Sequence, residues 1–281
     1  MFRKFFSGKA SYAGGLLFFI AILCIPDIYK RNVHPFRLSR LKMDLPKMTS
    51  WETSAPNLEI RSLLEKPFIF LAKGKQSDVF LSADGQYVLK FFHFDRSRLQ
   101  EGKKIRSLLK TFLGLHKNDV GLHRMDRVYQ TFESCKIAYE FIPDLTGIVY
   151  AHLNLKSHFL PKIKIKGRFG FFYDVDPAKY RFVIQKRGTP LMRAMQTSSI
   201  EELNDLKTSL FSLLDQMCAA SVINADLAPY KNFNICNGKI IISDVGNFIY
   251  DPLRAQENSM YFKSKFESFI QKKIENQLKR T

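Results

Sequence analysis

The segment INADLAPYKNFNICNGKIIISDVGNF, residues 223–248, is the most informative part of this chain. It contains two aspartates, Asp226 and Asp244, and five asparagines around a short apolar run, residues 240–242. Asparagine, aspartate and glycine are common in turns, so one interpretation is a hairpin whose polar side chains satisfy backbone groups. The other is a phosphate and metal site, in which one carboxylate serves the substrate and the other the ion. The residues upstream discriminate between these two interpretations.

The chain is strongly basic, which limits the partners that it favours. Among 281 residues, 44 are Lys or Arg and 26 are Asp or Glu, so the formal net charge is +18. Such a charge favours nucleic acid, an anionic membrane or lipid, or a phosphorylated small molecule. The basic runs lack the interleaved aromatics of an RNA-binding signature, so nucleic acid is the least favoured of these. The four cysteines show neither CxxC nor zinc spacing and are expected to be reduced thiols.

An apolar segment lies near the N-terminus. Residues 12–25 follow a basic flank and are short for a membrane span but typical of a signal-peptide core. No convincing small-x-small cleavage site follows, so the sequence favours an uncleaved anchor over residues 1–31 rather than a cleaved signal. The excess of Lys and Arg over residues 30–47 predicts that the C-terminal part is cytoplasmic and attached to the inner (cytoplasmic) membrane. Residues 32–58 are interpreted as a basic linker that can touch anionic headgroups.

The rest of the chain divides into a β-rich part, residues 59–188, and a mostly helical part, residues 189–281. Alternation predicts strands over residues 68–72, 78–82 and 87–92, with Asp84-Gly85 as a two-residue hairpin turn. Helical periodicity covers residues 97–117, 127–141, 200–221 and 254–279, and further strands are expected at 147–154, 161–175 and 180–188. This order predicts an α+β protein with two lobes.

The motifs over residues 68–248 together resemble those of the protein-kinase-like fold. LAKGKQSDVF, residues 71–80, is similar to the glycine-rich turn that covers nucleotide phosphates. Gly74 keeps a glycine, Ala72 and Ser77 stand at the other two glycine positions, and Val79 occupies the apolar position. Glycines at such positions let backbone N–H groups approach phosphate oxygens closely.

The resemblance also implies roles for three residues in the middle of the chain. YVLK, residues 87–90, is similar to the strand whose lysine holds the α- and β-phosphates, so Lys90 is the candidate. Its partner should be a glutamate on the following helix, for which Glu133 is the first choice. Glu140 and Glu101 are the alternatives. RFVIQKRGTPL resembles the hinge beside an adenine, which implies nucleotide contact at Gln185.

In residues 223–248, Asp226 resembles the catalytic aspartate that accepts a hydroxyl proton, and Asp244 resembles the aspartate of Asp-x-Gly that binds Mg²⁺. The family's His-Arg is replaced by Asn224-Ala225. Its metal-binding asparagine position is occupied by Lys231, which is expected to touch the γ-phosphate or an anionic acceptor. A one-residue bulge would let Asn232 reach the ion instead.

These motifs imply an ATP- and Mg²⁺-dependent phosphotransferase. Only 35 residues follow Asp-Val-Gly, and no Ala-Pro-Glu is present, so the acceptor is expected to be a small molecule, sugar, lipid or lipopolysaccharide rather than a protein. Several segments, among them NFNI and SDVG, resemble uncharacterised kinase-like proteins of chlamydia-type bacteria and, more loosely, lipopolysaccharide-core kinases. The alternatives are a catalytically inactive pseudokinase that serves as a membrane-anchored binding module, and a basic surface-binding protein without a nucleotide site.

Overall fold

The computed structural model describes residues 41, 45–74, 76–93, 122–155, 160–225 and 231–279, with residues 122–127 described for their backbone alone. The predicted anchor over residues 1–31, the helical pattern over 97–117, Glu101 and Asp226 lie outside these ranges. In the ranges that are described, no helix is long and apolar enough to cross a membrane.

A large mixed sheet dominates the first part of the chain. The described residues contribute seven strands to it, in the spatial order β4-β7-β3-β2-β1-β5-β6. Neighbouring strands are antiparallel except β1 and β5, which are parallel. The strands are β1 (Phe68–Lys73), β2 (Ser77–Ser82), β3 (Tyr87–Phe92), β4 (Ile148–His152), β5 (Ile163–Lys166), β6 (Phe172–Val175) and β7 (Phe182–Lys186). The strands expected near residues 68–92 are thereby confirmed.

The hairpin turn predicted at Asp84-Gly85 is confirmed, but its predicted length of two residues is wrong. Four residues, 83–86, connect β2 to β3, and in this connection Gly85 has a positive φ of 73° whereas Asp84 does not. A two-residue turn of the expected type needs positive φ at both central residues. Asp84 instead accepts hydrogen bonds from Ser82 Oγ and the Gln86 backbone N–H, at 2.7 and 3.0 Å.

The second part of the chain contains two small sheets and two long helices. Strand β8 (Thr189–Pro190) joins the hairpin of β10 (Phe233–Cys236) and β11 (Lys239–Ile242), and β9 (Val222–Asn224) pairs with β12 (Phe248–Tyr250). Asn237 and Gly238 both have positive φ, as the two-residue hairpin loop requires. The described residues include the α-helices α1 (Leu58–Glu65), α2 (Leu122–Glu140), α3 (Pro143–Thr146), α4 (Leu191–Thr197), α5 (Ile200–Ala219) and α6 (Ala255–Leu278).

The two faces of the large sheet pack into different hydrophobic cores. One core contains Phe68, Phe80, Leu89 and Phe91 from the sheet together with buried residues of α1. The other core begins at Phe92 and continues through α2 into α5, β11 and α6. Because side chains alternate along a strand, Lys90 lies on the face of Phe92, which is covered by the second part of the chain. The protein is therefore α+β, with a large sheet joined to a mostly helical part through a common core.

The described part of the predicted linker, residues 45–58, is packed against the domain. Trp51 is fully buried, with its ring 5.3 Å from that of Tyr129 and 4.9 Å from that of Phe132. The buried Arg181 guanidinium donates to the Leu45 carbonyl oxygen at 3.1 Å. These contacts attach residues 45–51 to α2 and to Arg181, which directly precedes β7.

Candidate active site

The candidate site begins with a contact between strand β3 and the Asp-Val-Gly segment. Lys90 Nζ donates a hydrogen bond of 2.6 Å to the Ser243 carbonyl oxygen, although the two residues are 153 positions apart. Burial lowers the pKa of Lys90, and the carboxylate of the neighbouring Asp244 acts in the opposite direction. A half-buried lysine beside an exposed carboxylate is an arrangement suited to binding phosphate together with a cation.

The hairpin of β10 and β11 positions Asn232 and Asp244. Phe233 pairs with Ile242, so the residues that flank this pair, Asn232 and Ser243, lie opposite each other. The Ser243 backbone N–H and Oγ both donate to the Asn232 carbonyl oxygen, at 2.7 and 2.9 Å. The hairpin therefore brings Asn232 beside the residue that precedes Asp244. Lys231 is exposed next to them.

Helix α2 holds the other side of the Asp-Val-Gly segment through a buried serine. Ser134 Oγ donates to the Val245 carbonyl oxygen and accepts from the Phe248 backbone N–H at 2.7 Å. The Ala225 N–H donates to the Asn247 carbonyl oxygen at 2.9 Å. Ala225 directly precedes Asp226, and its partner Asn247 follows Asp244 by three positions. The beginning of the predicted catalytic loop is therefore attached to the chain just after Asp-Val-Gly, while Asp226 lies outside the described residues. Ser134 was not singled out by its sequence, because a lone serine in an amphipathic helix carries no motif.

The structure does not pair Lys90 with the predicted glutamate. Glu133 Oε1 accepts hydrogen bonds from Ser50 Oγ at 2.8 Å and from Trp51 Nε1 at 2.9 Å. Among the described residues no ion pair joins Glu133 to Lys90, and Glu140, the alternative, pairs with Lys136. Successive residues of an α-helix are rotated by about 100° around the helix axis. Glu133 therefore lies on a different side of α2 from the residues that approach Lys90.

Cys135 occupies the face of α2 that approaches Lys90. The thiol is fully buried, and its pKa is raised to about 12 by burial, with Lys90 lowering it and Asp244 raising it. Cys135 lies three positions from Phe132 and from Ala138, which are both fully buried. This spacing of apolar residues on one helix face was the sequence signal for a position that faces the core. Among the described side chains of α2, the Cys135 thiol rather than Glu133 or Glu140 is therefore the group that acts on Lys90.

The turn between β1 and β2 is tightly closed. The Gly74 N–H donates to the Ser77 carbonyl oxygen at 2.7 Å, and a Cβ at Gly74 would lie 3.0 Å from that oxygen. A side chain at this position would therefore be tightly packed against the backbone, and the Gly74 N–H is engaged within the turn. Val79 pairs with Lys90 across β2 and β3. The Gln76 side chain, which the motif did not indicate, lies close to Gly246. Its Oε1 is 3.6 Å from the position that a Cβ would occupy on this glycine.

Gln185 joins the sheet to the β10–β11 hairpin. Its buried side-chain amide donates to the Thr146 carbonyl oxygen at 2.6 Å and to the Ile242 carbonyl oxygen at 3.0 Å. After β7 the chain passes Gly188, where a Cβ would lie 2.7 Å from Asn234 Cβ. The Gln185 side chain thus holds two parts of the chain together, and its predicted contact with a nucleotide stays a prediction.

The donor groups of the site fit Mg²⁺ better than a transition metal. Across the described residues, no three His, Cys, Asp or Glu side chains are grouped to hold a metal ion. Mg²⁺ does not need such a cage, because it is commonly bound by one or two protein oxygens together with waters and substrate phosphates. The exposed carboxylate of Asp244 and the amide of the half-buried Asn232 supply oxygens of this kind.

Comparison with known proteins gives similarity to solved structures alone. No family model and no curated protein sequence matches the chain. The structure of Rv3197 with erythromycin, from Mycobacterium tuberculosis, is 16% identical over 81% of this chain and 56% of that one, with a TM-score of 0.41. WbdD, described as a bifunctional kinase-methyltransferase, is 13% identical over 63% of this chain and 31% of its own, with a TM-score of 0.35. A WbdD complex with a kinase inhibitor has a TM-score of 0.37.

This chain therefore spans little more than half of the mycobacterial protein and about a third of WbdD. At these identities and TM-scores, neither the ligand of the first protein nor the reactions of the second transfer to this chain.

Proposed function

We propose that this protein is an ATP- and Mg²⁺-dependent phosphotransferase with a two-lobed, kinase-like fold and a reduced C-terminal lobe. Its acceptor is a hydroxyl group of a small molecule, sugar, lipid or lipopolysaccharide at the membrane. The observation that supports this function most is the contact between Lys90 and Ser243, beside Asp244 of Asp-Val-Gly. A strand lysine and an Asp-x-Gly carboxylate that lie close together are two groups that phosphoryl transfer uses around the nucleotide phosphates.

Each residue has a distinct task in this proposal. Lys90 leaves the Ser243 carbonyl oxygen and donates to phosphate oxygens of ATP. Asp244 and Asn232 hold the cation, and Mg²⁺ supplies neutralisation of phosphate charge there. The exposed Lys231 attracts an anionic acceptor.

Asp226 orients the acceptor hydroxyl and takes its proton. The hydroxyl oxygen forms a bond to the γ-phosphorus, while the bond from that phosphorus to the bridging oxygen of ADP breaks. The high net charge of +18 supports an acceptor that carries phosphate or carboxylate groups of its own.

A catalytically inactive pseudokinase is the second candidate, and one observation favours it. Cys135 rather than a glutamate approaches Lys90, while Glu133 is engaged by Ser50 and Trp51. Among the described residues no glutamate is paired with Lys90, and the Asp244 carboxylate is the main group that favours its charged form. Such a site would bind a nucleotide without transferring its phosphate.

The test uses the full chain and two measurements. A thermal shift with ATP and Mg²⁺ reports binding, and release of ADP reports turnover. Lys90→Ala is expected to abolish the shift, Asp244→Asn to abolish its dependence on Mg²⁺, and Asp226→Asn to abolish turnover while binding persists. Asp205→Asn, an exposed carboxylate on α5, is the matched control and is expected to change neither measurement.

The outcomes separate the two candidates. A shift with no turnover under any acceptor tested would favour the pseudokinase. Absence of any shift for folded wild-type protein would overturn both candidates.

A further inference from the structure

The β5–β6 hairpin carries large apolar side chains that are open to solvent. Phe169, Phe171 and Phe172 are exposed to 49%, 68% and 58%, all within the tip of this hairpin. Single exposed apolar residues are ordinary, but three phenylalanines on one short loop form a patch of the kind that contacts a partner or a membrane.

The neighbouring strand β1 extends this patch. Ile69 and Leu71 are exposed to 46% and 47%, and Ile69 pairs with Lys166, which in turn pairs with Phe172. Paired residues lie on the same face of a sheet. The opposite face of the same strands, with Phe68 and Ile165, is fully buried. These outer strands therefore present Ile69 and Phe172 on a face that the described residues leave open to solvent.

The exposed face is also basic. Residues 161–175 contain four basic residues, Lys162, Lys164, Lys166 and Arg168, against the single carboxylate of Asp174. Lys162, Lys164 and Arg168 are exposed, and Lys166 Nζ lies 5.6 Å from the centre of the Phe172 ring. Basic and aromatic groups side by side match the interface of an anionic bilayer, where rings enter the headgroup region and cations meet lipid phosphates.

A groove runs between β1 and the hairpin tip. Its volume is about 660 Å³, and it is lined by Ile69, Leu71, Lys73, Lys166 and Arg168 together with backbone of the hairpin turn. The groove combines apolar walls with cationic groups, which is the chemistry of a phospholipid headgroup and the first part of its acyl chains.

The patch lies on the same side of the sheet as Lys90. Ile69 pairs with Leu81, Leu81 pairs with Val88, and Lys90 follows Val88 by two positions on β3. Residues two apart on a strand point to the same face. A surface that contacts Ile69 and Phe172 therefore approaches the sheet from the side that carries the candidate site.

We propose that the hairpin face, consisting of Ile69, Leu71, Lys166 and residues 168–172, docks on an anionic lipid bilayer. Phe169, Phe171 and Phe172 enter the boundary between headgroups and acyl chains, and the surrounding Lys and Arg residues contact lipid phosphates. Docking does not depend on catalysis, and it is separate from the attachment predicted for residues 1–31.

The position of the hairpin tip is measured by fluorescence of the full chain. The sequence has one tryptophan, Trp51, and it is fully buried, so it provides a constant background. Phe171→Trp introduces a reporter on the hairpin, and Leu253→Trp introduces one at a position that is 94% exposed elsewhere. Vesicles contain phosphatidylcholine with or without phosphatidylglycerol, and their acyl chains are brominated to quench indole fluorescence. This readout is local, so vesicle binding through residues 1–31 alone does not produce it.

The expected result is a blue shift and quenching for Phe171→Trp with anionic vesicles, and neither change for Leu253→Trp or the wild type. Equal quenching at both positions would overturn the proposal, and so would equal quenching by vesicles without anionic lipid. Lipid-free self-association that Phe171→Ser abolishes would assign the face to a second copy of the chain instead.

A charge-matched pair of variants tests the basic residues in the Phe171→Trp background. Changing Lys162, Lys164 and Arg168 to Gln is expected to weaken vesicle affinity, read from the lipid concentration that gives half-maximal quenching, by about fivefold for each charge removed. Changing Lys265, Lys272 and Lys279 on and after α6 to Gln removes the same charge from another exposed surface. Equal losses in the two triple variants would show that net charge alone acts and would overturn the proposal.

Asp244→Asn separates docking from the proposed function. Quenching in the Phe171→Trp background is expected to persist when Asp244→Asn abolishes Mg²⁺-dependent nucleotide binding. Loss of quenching in this variant, with its folding confirmed by circular dichroism, would contradict a docking surface that is independent of the site.

Discussion

Lys90 Nζ and the Ser243 carbonyl oxygen lie 2.6 Å apart, and this contact joins the large sheet to the Asp-Val-Gly segment. The amine is held between a buried environment that disfavours its charge and the Asp244 carboxylate that favours it. The pKa of Lys90 therefore reports whether strand β3 and the Asp-Val-Gly segment are in contact in solution.

Asp244→Asn is expected to lower the pKa of Lys90 further. Burial already lowers this pKa from the ordinary value of 10.5, and Asp244 raises it, so removal of the carboxylate leaves burial less opposed. The neutral amine will then appear at a lower pH than in the wild type. Titration of ¹³C-methylated lysines by nuclear magnetic resonance measures the shift, and Lys90→Arg assigns the signal. An unchanged or higher pKa would contradict the contact.

Glu133→Gln is expected to leave the pKa of Lys90 unchanged, because Glu133 contacts Ser50 and Trp51 instead. Glu133→Ala is expected to lower the free energy of unfolding by about 1–3 kcal/mol, since the buried Trp51 indole N–H loses its acceptor. Glu133→Gln keeps an acceptor oxygen and serves as the matched control for urea unfolding. A clear change in the Lys90 titration on Glu133→Gln would restore the glutamate pair that the kinase-like motifs imply.

Ser134→Ala is expected to destabilise the protein through the Asp-Val-Gly segment. Its buried hydroxyl is the acceptor for the Phe248 N–H and the donor to Val245, so its removal leaves two buried backbone groups without this partner. The expected loss in the free energy of unfolding is about 1–3 kcal/mol. Ser268→Ala, an exposed serine on α6, is the control and is expected to stay within about 0.5 kcal/mol of the wild type. Equal effects of the two variants in urea unfolding would argue against the buried contact.

Gly188→Ala is expected to disturb the passage of the chain from β7 to β8. The new Cβ would lie 2.7 Å from Asn234 Cβ and 2.8 Å from the Ile235 carbonyl oxygen, and backbone atoms cannot move aside as a flexible side chain can. A loss of about 1–3 kcal/mol in the free energy of unfolding is expected from such overpacking. Gly246→Ala meets its nearest atoms at 3.6 Å and is the control. Similar stability of both variants would show that the approach at Gly188 is looser in solution.

Elements with a strong local pattern were predictable. Strand β3 was expected at residues 87–92, where the structure has it, and the last two long helices were expected within two residues of their ends. The Asn237-Gly238 turn and the apolar run over residues 240–242 specify the hairpin beside Asp244. Local backbone preferences and side-chain periodicity are sufficient in these cases, because each depends on residues close together in the chain.

Partners across the fold were not predictable in the same way. Glu133 and Cys135 are two positions apart on one helix, and the rotation of α2 over the sheet selects which of them approaches Lys90. The amide of Gln185 binds two carbonyl oxygens from distant segments, which no local pattern indicated. The β5–β6 hairpin was expected as a hairpin, but its parallel pairing with β1 joins residues almost a hundred positions apart.

The amino-acid sequence alone thus specified the candidate residues of the site and their spacing, including Lys90 and the Asp244 of Asp-Val-Gly. Tertiary packing decided the surroundings of each residue. Lys90 contacts Ser243, Glu133 contacts Trp51, and Phe171 is exposed to solvent. The physical reason is that backbone conformation depends mainly on neighbours in sequence. Burial, helix rotation and strand order depend on how distant segments share one core, which no local pattern encodes.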